Sequence, residues 1–274
     1  MEINKMKIMV NGLPGKVSTV IAEHIARDDG LVLHPYAFTG QDVTRERINV
    51  GGLEISLIRP DQRESFIASG VLPYISVDFT HPSAVNSNAE FYCQNGLPFV
   101  MGTTGGDREA LEETVRNFDN VAVIAPNMAK QIVAFQAMMK YASDTFPDAF
   151  KGYSLEITES LQNGKADTSG TAKAMIGYFN ALGVPFTKDQ INMIREPTEQ
   201  LNMGIPQDAL SGHGWHTYNL KSGDGSVLFQ FTHNVNGRDV YADGTLSGIR
   251  YLAQKIQAEE KGKVYSMMDV LKGK

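Results

Sequence analysis

Between Met6 and Pro126 short apolar runs recur, most of them separated by stretches with helical spacing, and this alternation is what most narrows the possible folds. The runs are MKIMVNG, LVLHPYAF, LEISLI, YISVDFT, PFVMGTT and NVAVIAP, each bounded by Gly, Pro, Asn or Thr. Segments such as PSAVNSNAEFYCQ and DREALEETVRNF lie between several of them. After the first run Val17, Val20, Ile21 and Ile25 fall at helical spacing, which predicts one buried stripe. Strands alternating with helices mean βαβ units and a mostly parallel sheet.

Around residue 129 the rhythm changes. AKQIVAFQAMMKYASDTF reads as a long helix, followed by YSLEITES, a helix from Thr168 to Leu182, and a strand-rich region containing GWHTYNL and VLFQFTHNV. In the last of these Val227, Phe229 and Phe231 alternate with Leu228, Gln230 and Thr232, predicting one apolar face. KSGDGS between the two runs is a hairpin signal. GTLSGIRYLAQKIQ is helical. The expected organisation is a dinucleotide-type domain over 1–129, an α+β domain over 130–243, and a helical segment over 244–274 returning to the first domain.

Composition removes several function classes. Against 31 acidic residues there are 25 basic ones, a net charge of −6, whereas nucleic-acid affinity needs clustered Lys and Arg. No apolar run approaches the ~18 residues of a membrane span. The chain enters a strand-like run at once, without a signal-peptide pattern. Cys93 has no second cysteine to pair with, so the expected location is the reducing cytoplasm. Cys93 itself reads as packed inside at a helix end, not as a nucleophile.

VNGLPGKVS places Gly12, Gly15 and Ser18 in a G-x-x-G-x-x-S pattern between the first strand and its helix. An ordinary turn is the competing reading, but the position at the head of a βαβ series favours a dinucleotide phosphate turn. Its expected cofactor residues are Gly12, Leu13, Pro14, Gly15, Lys16 and Val17. The second run ends in YAFTG, without the Asp or Glu that usually binds a ribose 2′-hydroxyl. Phe38 and Thr39 therefore join the cofactor residues, with Lys16 and the Thr39 hydroxyl as candidate partners of a 2′-phosphate. NADPH is expected to be preferred over NADH, with a solvated helix-start lysine as the alternative reading of Lys16.

At DFTHP (78–82), GTTGG (102–106), APNMA (125–129) and KADTSGTAKA (165–174) the chain resembles the dihydrodipicolinate reductase family, and its plant-type branch through PFVMGTTGGDR, AKQIVAF, GYSLEITES, SGHGWHTY and HNVNGRDVYADGT. The resemblance implies a Rossmann-type doubly wound parallel sheet with a second α+β substrate domain, an open mixed sheet that also mediates oligomerisation. It implies hydride transfer from NAD(P)H to a cyclic unsaturated imine dicarboxylate in lysine (diaminopimelate) biosynthesis, and a homo-oligomer, tetramer or dimer. By position, Phe79 and Thr80 match a strand end at the cofactor, Gly102 and Thr104 the loop beside the nicotinamide, and Ala125, Pro126, Asn127 and Met128 a further cofactor contact. Lys165 matches the catalytic lysine. Ser169, Gly170 and Thr171 match the site of a substrate carboxylate, with Leu161, Gln162 and Thr104 beside the substrate. Thr168 or Ser169 is also a good N-cap, which leaves free amides for an anion at the helix start.

The chain departs from the resemblance at one informative place. Glu159-Ser160-Leu161-Gln162 stands where the plant-type motif reads E-S-H-Q, so a leucine replaces a histidine that donates or helps donate a proton. Three readings follow: Lys165 suffices and the protein reduces the lysine-pathway intermediate; the pocket takes a different cyclic imine or unsaturated substrate; or the chain is a non-catalytic assembly or binding paralog. His213 and His216 read as structural and as a poor metal pair, with His213 possible near the substrate, and no metal is expected. His233 and Arg238 fit either a substrate carboxylate or a sheet-surface ion pair.

Overall fold

A computed structural model describes residues 5–273. Its elements begin with β1 (Met6–Asn11), α1 (Lys16–Ala26), β2 (Leu31–Leu33), β3 (Tyr36–Phe38), β4 (Arg47–Val50), β5 (Leu53–Ile58) and α2 (Arg63–Ala68). There follow β6 (Ile75–Asp78), α3 (Val85–Gln94), β7 (Phe99–Met101), α4 (Arg108–Asn117), β8 (Val121–Ile124) and α5 (Lys130–Thr145). Then come β9 (Ser154–Leu161), α6 (Gly170–Ala181), β10 (Asn192–Ile194), α7 (Pro197–Asn202), β11 (Gly214–Lys221) and β12 (Leu228–Val235). The chain closes with α8 (Asp239–Gln257), β13 (Lys263–Tyr265) and α9 (Met267–Lys272). Two compact units result: one runs through Lys130 and resumes at Asp239, the other spans Gln131–Arg238.

In the first unit six parallel strands run in the order β13-β8-β7-β6-β1-β2. α1 lies against α8, and α3 against α4, giving the doubly wound arrangement. The strands are buried on both faces, as a parallel sheet under helices requires: Ile8, Ile75, Val77, Phe99, Val100 and Val123 are fully buried. Helix α1 buries Ser18, Ile21, Ala22 and Ile25. The expected stripe is thus corrected by rotation: Val17 and Val20 are only half-buried at its edge.

LVLHPYAF is two strands, where the sequence predicts one. Pro35 has no N–H to give to a ladder, so the chain leaves β1 after the His34 amide bonds the Ile8 carbonyl at 2.8 Å. β3 then pairs in parallel with β5, which also carries antiparallel β4. The C-terminal segment is also not purely helical, because β13 adds an edge strand beside β8. Three residues of strand carry too little pattern to be read without that neighbour.

The second unit is an open mixed sheet in the order β10-β9-β11-β12, with β10 parallel and the other pairs antiparallel. Helix α6 buries Ala172, Met175, Ile176 and Phe179 against it, an i, i+3, i+4, i+7 stripe. Each large side chain so buried contributes about 1.5–3 kcal/mol, and together they fix where the start of α6 points. On edge strand β12 the expected alternation holds for Phe231, which packs on Phe135 and Phe179. Val227 and Phe229 of that face are exposed at 39% and 41%, with Phe229 only partly covered by Phe150 and Tyr153, and Leu228 on the other face is 60% exposed.

Candidate functional site

Within the first unit every expected cofactor residue stands at the carboxyl ends of the parallel strands, where α/β sheets bind ligands. Gly12 follows β1 with φ +95°, and a β-carbon there would overlap the Phe79 carbonyl. Only glycine permits that approach. The Gly12 amide donates to the Phe38 carbonyl at 2.8 Å, and the Asn11 side chain accepts from the Phe38 amide, so turn and β3 hold each other. Leu13 is buried, whereas Pro14, Gly15 and Lys16 are exposed and Val17 is half-buried. Gly15 caps α1 with no side chain bonded to the first-turn amides. Those amides, a backbone with no β-carbon in the way and an exposed lysine fit a dinucleotide pyrophosphate.

Ser18 does more than supply the small residue expected for packing. Its buried hydroxyl lies 2.9 Å from the carbonyls of both Gly12 and Gly15 and so closes the turn. Thr39 corrects an expectation. Its hydroxyl donates to the Leu13 carbonyl at 2.7 Å and the residue is 2% exposed, so it braces the turn and is not open to a 2′-phosphate. No local pattern shows this, because the partner carbonyl lies 26 residues upstream.

The loops after β6 and β7 are organised by Asp78, a buried carboxylate to which sequence reasoning assigns no role. It accepts from Thr103 Oγ1 at 2.6 Å, Tyr92 at 2.8 Å, Asn88 at 2.9 Å and Thr80 Oγ1 at 2.9 Å. Burial and the neighbouring Asp78 push the Tyr92 phenol up, keeping it a donor. Phe79 and Thr80 leave this hub, and the Phe79 ring fills the space where a Gly102 side chain would sit. Thr104 is exposed on the β7 loop of this unit. Ala125 bonds the Met101 carbonyl at 3.0 Å, Met128 is buried, Pro126 is exposed, and Asn127 Oδ1 accepts from the Ala129 amide.

In the second unit the TSGTA turn is built on Glu159. This fully buried carboxylate of β9 accepts from Arg195 Nη2 at 2.6 Å, the Ser169 amide at 2.9 Å and Thr168 Oγ1 at 3.0 Å, with His216 Nε2 at 3.1 Å. Burial alone would push its carboxyl up; the bonds from His216, Ser169 and Arg195 outweigh that and hold it well below the usual carboxylate range. Ser169 is the N-cap of α6, its hydroxyl accepting from the Ala172 amide at 3.0 Å. Its carbonyl accepts from the Lys173 amide. The amides of Gly170 and Thr171, which precede any helical acceptor, are left to face an anion.

Lys165 lies exposed on the turn that follows β9. Its backbone is fixed: the amide donates to the Gln162 carbonyl at 3.3 Å, and the carbonyl accepts from Arg195 Nε at 2.9 Å. Arg195 therefore brackets the Lys165 turn to Glu159, a role no local pattern reveals. Leu161 is 7% exposed, opposite Gly214 and on the same sheet face as Glu159, two residues earlier. Gln162 Oε1 accepts from Arg238 Nη2 at 3.3 Å, and the same guanidinium bonds the Ser211 carbonyl. Among the described residues no carboxylate pairs with Arg238, so the expected sheet-surface ion pair does not form.

The histidines divide by environment. His213 bonds Ser160 at 2.8 Å and the Leu210 carbonyl at 3.2 Å, on the far side of β9 from Glu159. His216 faces Glu159 and stacks on His233, with ring centroids 4.6 Å apart. Burial and His216 lower the His233 ring to about 4. Among the described residues no cluster of His, Cys, Asp or Glu is arranged to hold a metal, and no helix is long and apolar enough to cross a membrane.

Comparison with known proteins extends this geometry. Residues 6–128 match the family described as dihydrodipicolinate reductase, N-terminus, and residues 131–271 match dihydrodipicolinate reductase, C-terminus. The chain is 46% identical over 273 residues to 4-hydroxy-tetrahydrodipicolinate reductase 1, chloroplastic, of Arabidopsis thaliana, covering 98% of this chain and 78% of that protein. It is 44% identical over 269 residues to a probable 4-hydroxy-tetrahydrodipicolinate reductase 2, chloroplastic, of Oryza sativa subsp. japonica, covering 97% and 82%. A dipicolinate-bound dihydrodipicolinate reductase from Paenisporosarcina sp. TG-14 shares the fold, with a TM-score of 0.66 at 18% identity over 96% of this chain and 97% of that one. The expected cytoplasmic location does not stand, since the plant relatives are named as chloroplastic enzymes. A lone buried cysteine fits any reducing compartment, so it could not choose between them. With both halves matched and nearly half of all positions shared with plant reductases from end to end, the chain belongs to the dihydrodipicolinate reductase family.

Proposed function

We propose that the protein is an NAD(P)H-dependent reductase of 4-hydroxy-tetrahydrodipicolinate in lysine (diaminopimelate) biosynthesis. The observation that carries this is the α6 start: Ser169, Gly170 and Thr171 held on buried Glu159, with the Lys165 turn bracketed to the same carboxylate by Arg195. Free amides and the positive end of a helix suit a substrate carboxylate. The 4-hydroxyl leaves as water to give the unsaturated imine, Lys165 supplies the proton that balances the hydride added to that carbon–nitrogen system, and Thr171 adds a hydroxyl contact. The cofactor, when bound, supplies the hydride. Gly12, Gly15 and the first turn of α1 hold its phosphates, while Phe79, Thr80, Gly102, Thr104 and Ala125–Met128 border it. The unit that runs through Lys130 and resumes at Asp239 does the cofactor work, and Gln131–Arg238 the substrate work, so the boundaries expected at 129 and 243 shift to keep α8 whole. NADPH oxidation by the purified protein with 4-hydroxy-tetrahydrodipicolinate tests the reading. A protein that binds NADPH yet is inert towards this and simpler cyclic imines would refute it.

NADPH is preferred over NADH. β3 runs through Phe38 into Thr39 and Gly40 without an acid, and with Thr39 sealed on Leu13, Lys16 is the one of the two candidates left to read the 2′-phosphate. Lys16→Ala is expected to weaken NADPH binding by about tenfold, the scale of a charge-assisted contact, and to leave NADH unchanged. Equal losses for both cofactors, measured by fluorescence titration, would show that Lys16 does not discriminate. The protein acts as a homo-oligomer, a dimer or tetramer. Edge strand β12, with exposed Leu228 and Phe229, supports that reading.

Leu161 leaves Lys165 as the proton donor. Leu161→His is therefore expected to raise kcat about tenfold, a barrier change of ~1.4 kcal/mol, because an imidazole shares proton delivery near neutral pH. Steady-state rates of the two proteins decide it; a fall in kcat would mean that the apolar side chain shapes the substrate pocket.

A further inference from the structure

We propose that Arg63 is a specificity-determining residue that binds the 2′-phosphate of NADPH. This rests on reading the glycine-turn unit as an NADPH site. In a doubly wound sheet the end of the second strand reads the ribose of the adenosine half: an acid there binds the 2′-hydroxyl, and an arginine nearby accommodates a 2′-phosphate. Here Phe38 runs into Thr39 and Gly40, without the acid. The Arg63 guanidinium stands at this place. Its Cζ lies 4.9 Å from the ring centroid of Phe38, the last residue of β3.

A second tie fixes the group to another strand end. Arg63 Nη1 donates to Asn88 Oδ1 at 2.9 Å. The Asn88 amide in turn donates to Asp78 Oδ2 at 2.9 Å and to Thr80 Oγ1 at 3.0 Å. Asp78 ends β6, so the guanidinium links the carboxyl ends of β3 and β6, the side of the sheet where ligands bind. Both ends carry proposed cofactor residues, Phe38 and Thr39 on one and Phe79 and Thr80 on the other.

Arg63 is also a cation without a counter-ion. It is half-buried, with Cζ 4.9 Å from the Phe38 ring and 5.6 Å from the Phe91 ring, and forms no ion pair among the described residues. Aromatic faces return only part of the hydration that such a charge gives up. Nε is enclosed without an acceptor and Nη1 is committed to Asn88, which leaves Nη2 to meet a ligand. A phosphate oxygen there supplies both the acceptor and the missing charge. Arg59 stands beside Thr39, because the Thr39 amide bonds the Ile58 carbonyl at 3.0 Å, but it is already set against Asp61 at 4.0 Å. With the pyrophosphate on the Gly12–Gly15 turn, the anion of NADPH left for Arg63 is the 2′-phosphate, and Lys16 gives that phosphate a second cation.

The test compares wild type, Arg63→Leu, Arg63→Gln and Arg63→Lys by binding alone. NADPH and NADH are titrated by fluorescence, and adenosine 2′,5′-bisphosphate and adenosine 5′-monophosphate by calorimetry. Arg63→Leu should raise the Kd of NADPH and of the bisphosphate about tenfold to a hundredfold, the scale of a hydrogen-bonded charge pair. NADH and the monophosphate should lose far less. Arg63→Gln, polar but uncharged, should lose as much as the leucine variant and stands in for it should that variant not fold. Arg63→Lys should recover part of the loss, because its ammonium keeps the charge but cannot hold Asn88 and a phosphate from one rigid plane. Equal losses for NADPH and NADH would mean that Arg63 only braces the β3 end, and a glutamine variant as tight as wild type would mean that its charge is not used. Either result overturns the proposal while leaving the reductase reading intact. A wild type that binds neither cofactor sinks both.

Discussion

Lys165→Ala is expected to lower kcat on 4-hydroxy-tetrahydrodipicolinate by about 10²- to 10⁴-fold, the usual worth of a positioned proton donor. In barrier height that is roughly 2.7–5.4 kcal/mol. The backbone of the turn should not move, because its two anchors are the Lys165 amide on Gln162 and the Lys165 carbonyl on Arg195, and alanine keeps both. KM is therefore expected to change much less than kcat, the pattern of an interaction made in the transition state. With Leu161 in place of an imidazole, no neighbouring side chain of the motif takes over the proton. A Lys165→Ala protein with full turnover would remove Lys165 from the chemistry.

Arg195→Leu is expected to cost about 3–5 kcal/mol of stability, the penalty for leaving a buried charge without its partner. Glu159 is fully buried, and the guanidinium bonds both its carboxylate and its backbone carbonyl. The loss should depend on pH in a definite sense. The folded carboxyl is held below its ordinary value, so the stability it contributes is present above the unfolded carboxylate pKa of about 4.3 and is lost as pH falls towards the folded one. The gap between wild type and Arg195→Leu should accordingly be widest near neutrality and narrow on acidification. Chemical denaturation at pH 7 and pH 4 measures it; a gap independent of pH would mean that Glu159 is not the group Arg195 stabilises. Because Arg195 also carries the Lys165 carbonyl, the variant should lose turnover even where it remains folded.

Much of the dinucleotide unit is legible in sequence because its signals are local. A parallel strand buried on both faces is a short apolar run, and a phosphate turn is glycine at fixed offsets, so β1, β5, β6, β7, β8 and the Gly12–Val17 turn stand out. Where the signal is not local the reading fails. Pro35 splits a run by withdrawing one N–H from a ladder, but which strand takes over, β5, depends on residues about twenty positions downstream. Strand β13 has only three residues and exists because β8 offers an open edge. The exposed end of β12 has the alternation of a buried face, yet Phe150 and Tyr153 cover Phe229 only in part.

The candidate substrate site divides along the same line. By itself the sequence determined the turn ahead of α6, an N-cap at Thr168 or Ser169, the lysine beside it and the leucine that departs from the family motif. Each is written in neighbouring residues whose spacing on one strand or one helix start sets the chemistry. Only the tertiary structure decided that Glu159 is the buried anchor, that Arg195 ties the Lys165 turn to it, that His216 and not His213 faces the Ser169 hydroxyl, and that Thr39 is spent on Leu13. Those partners lie from 26 to 47 residues apart in the chain. They meet through strand register and helix packing, and register is a property of pairs of strands, which no single segment of sequence contains.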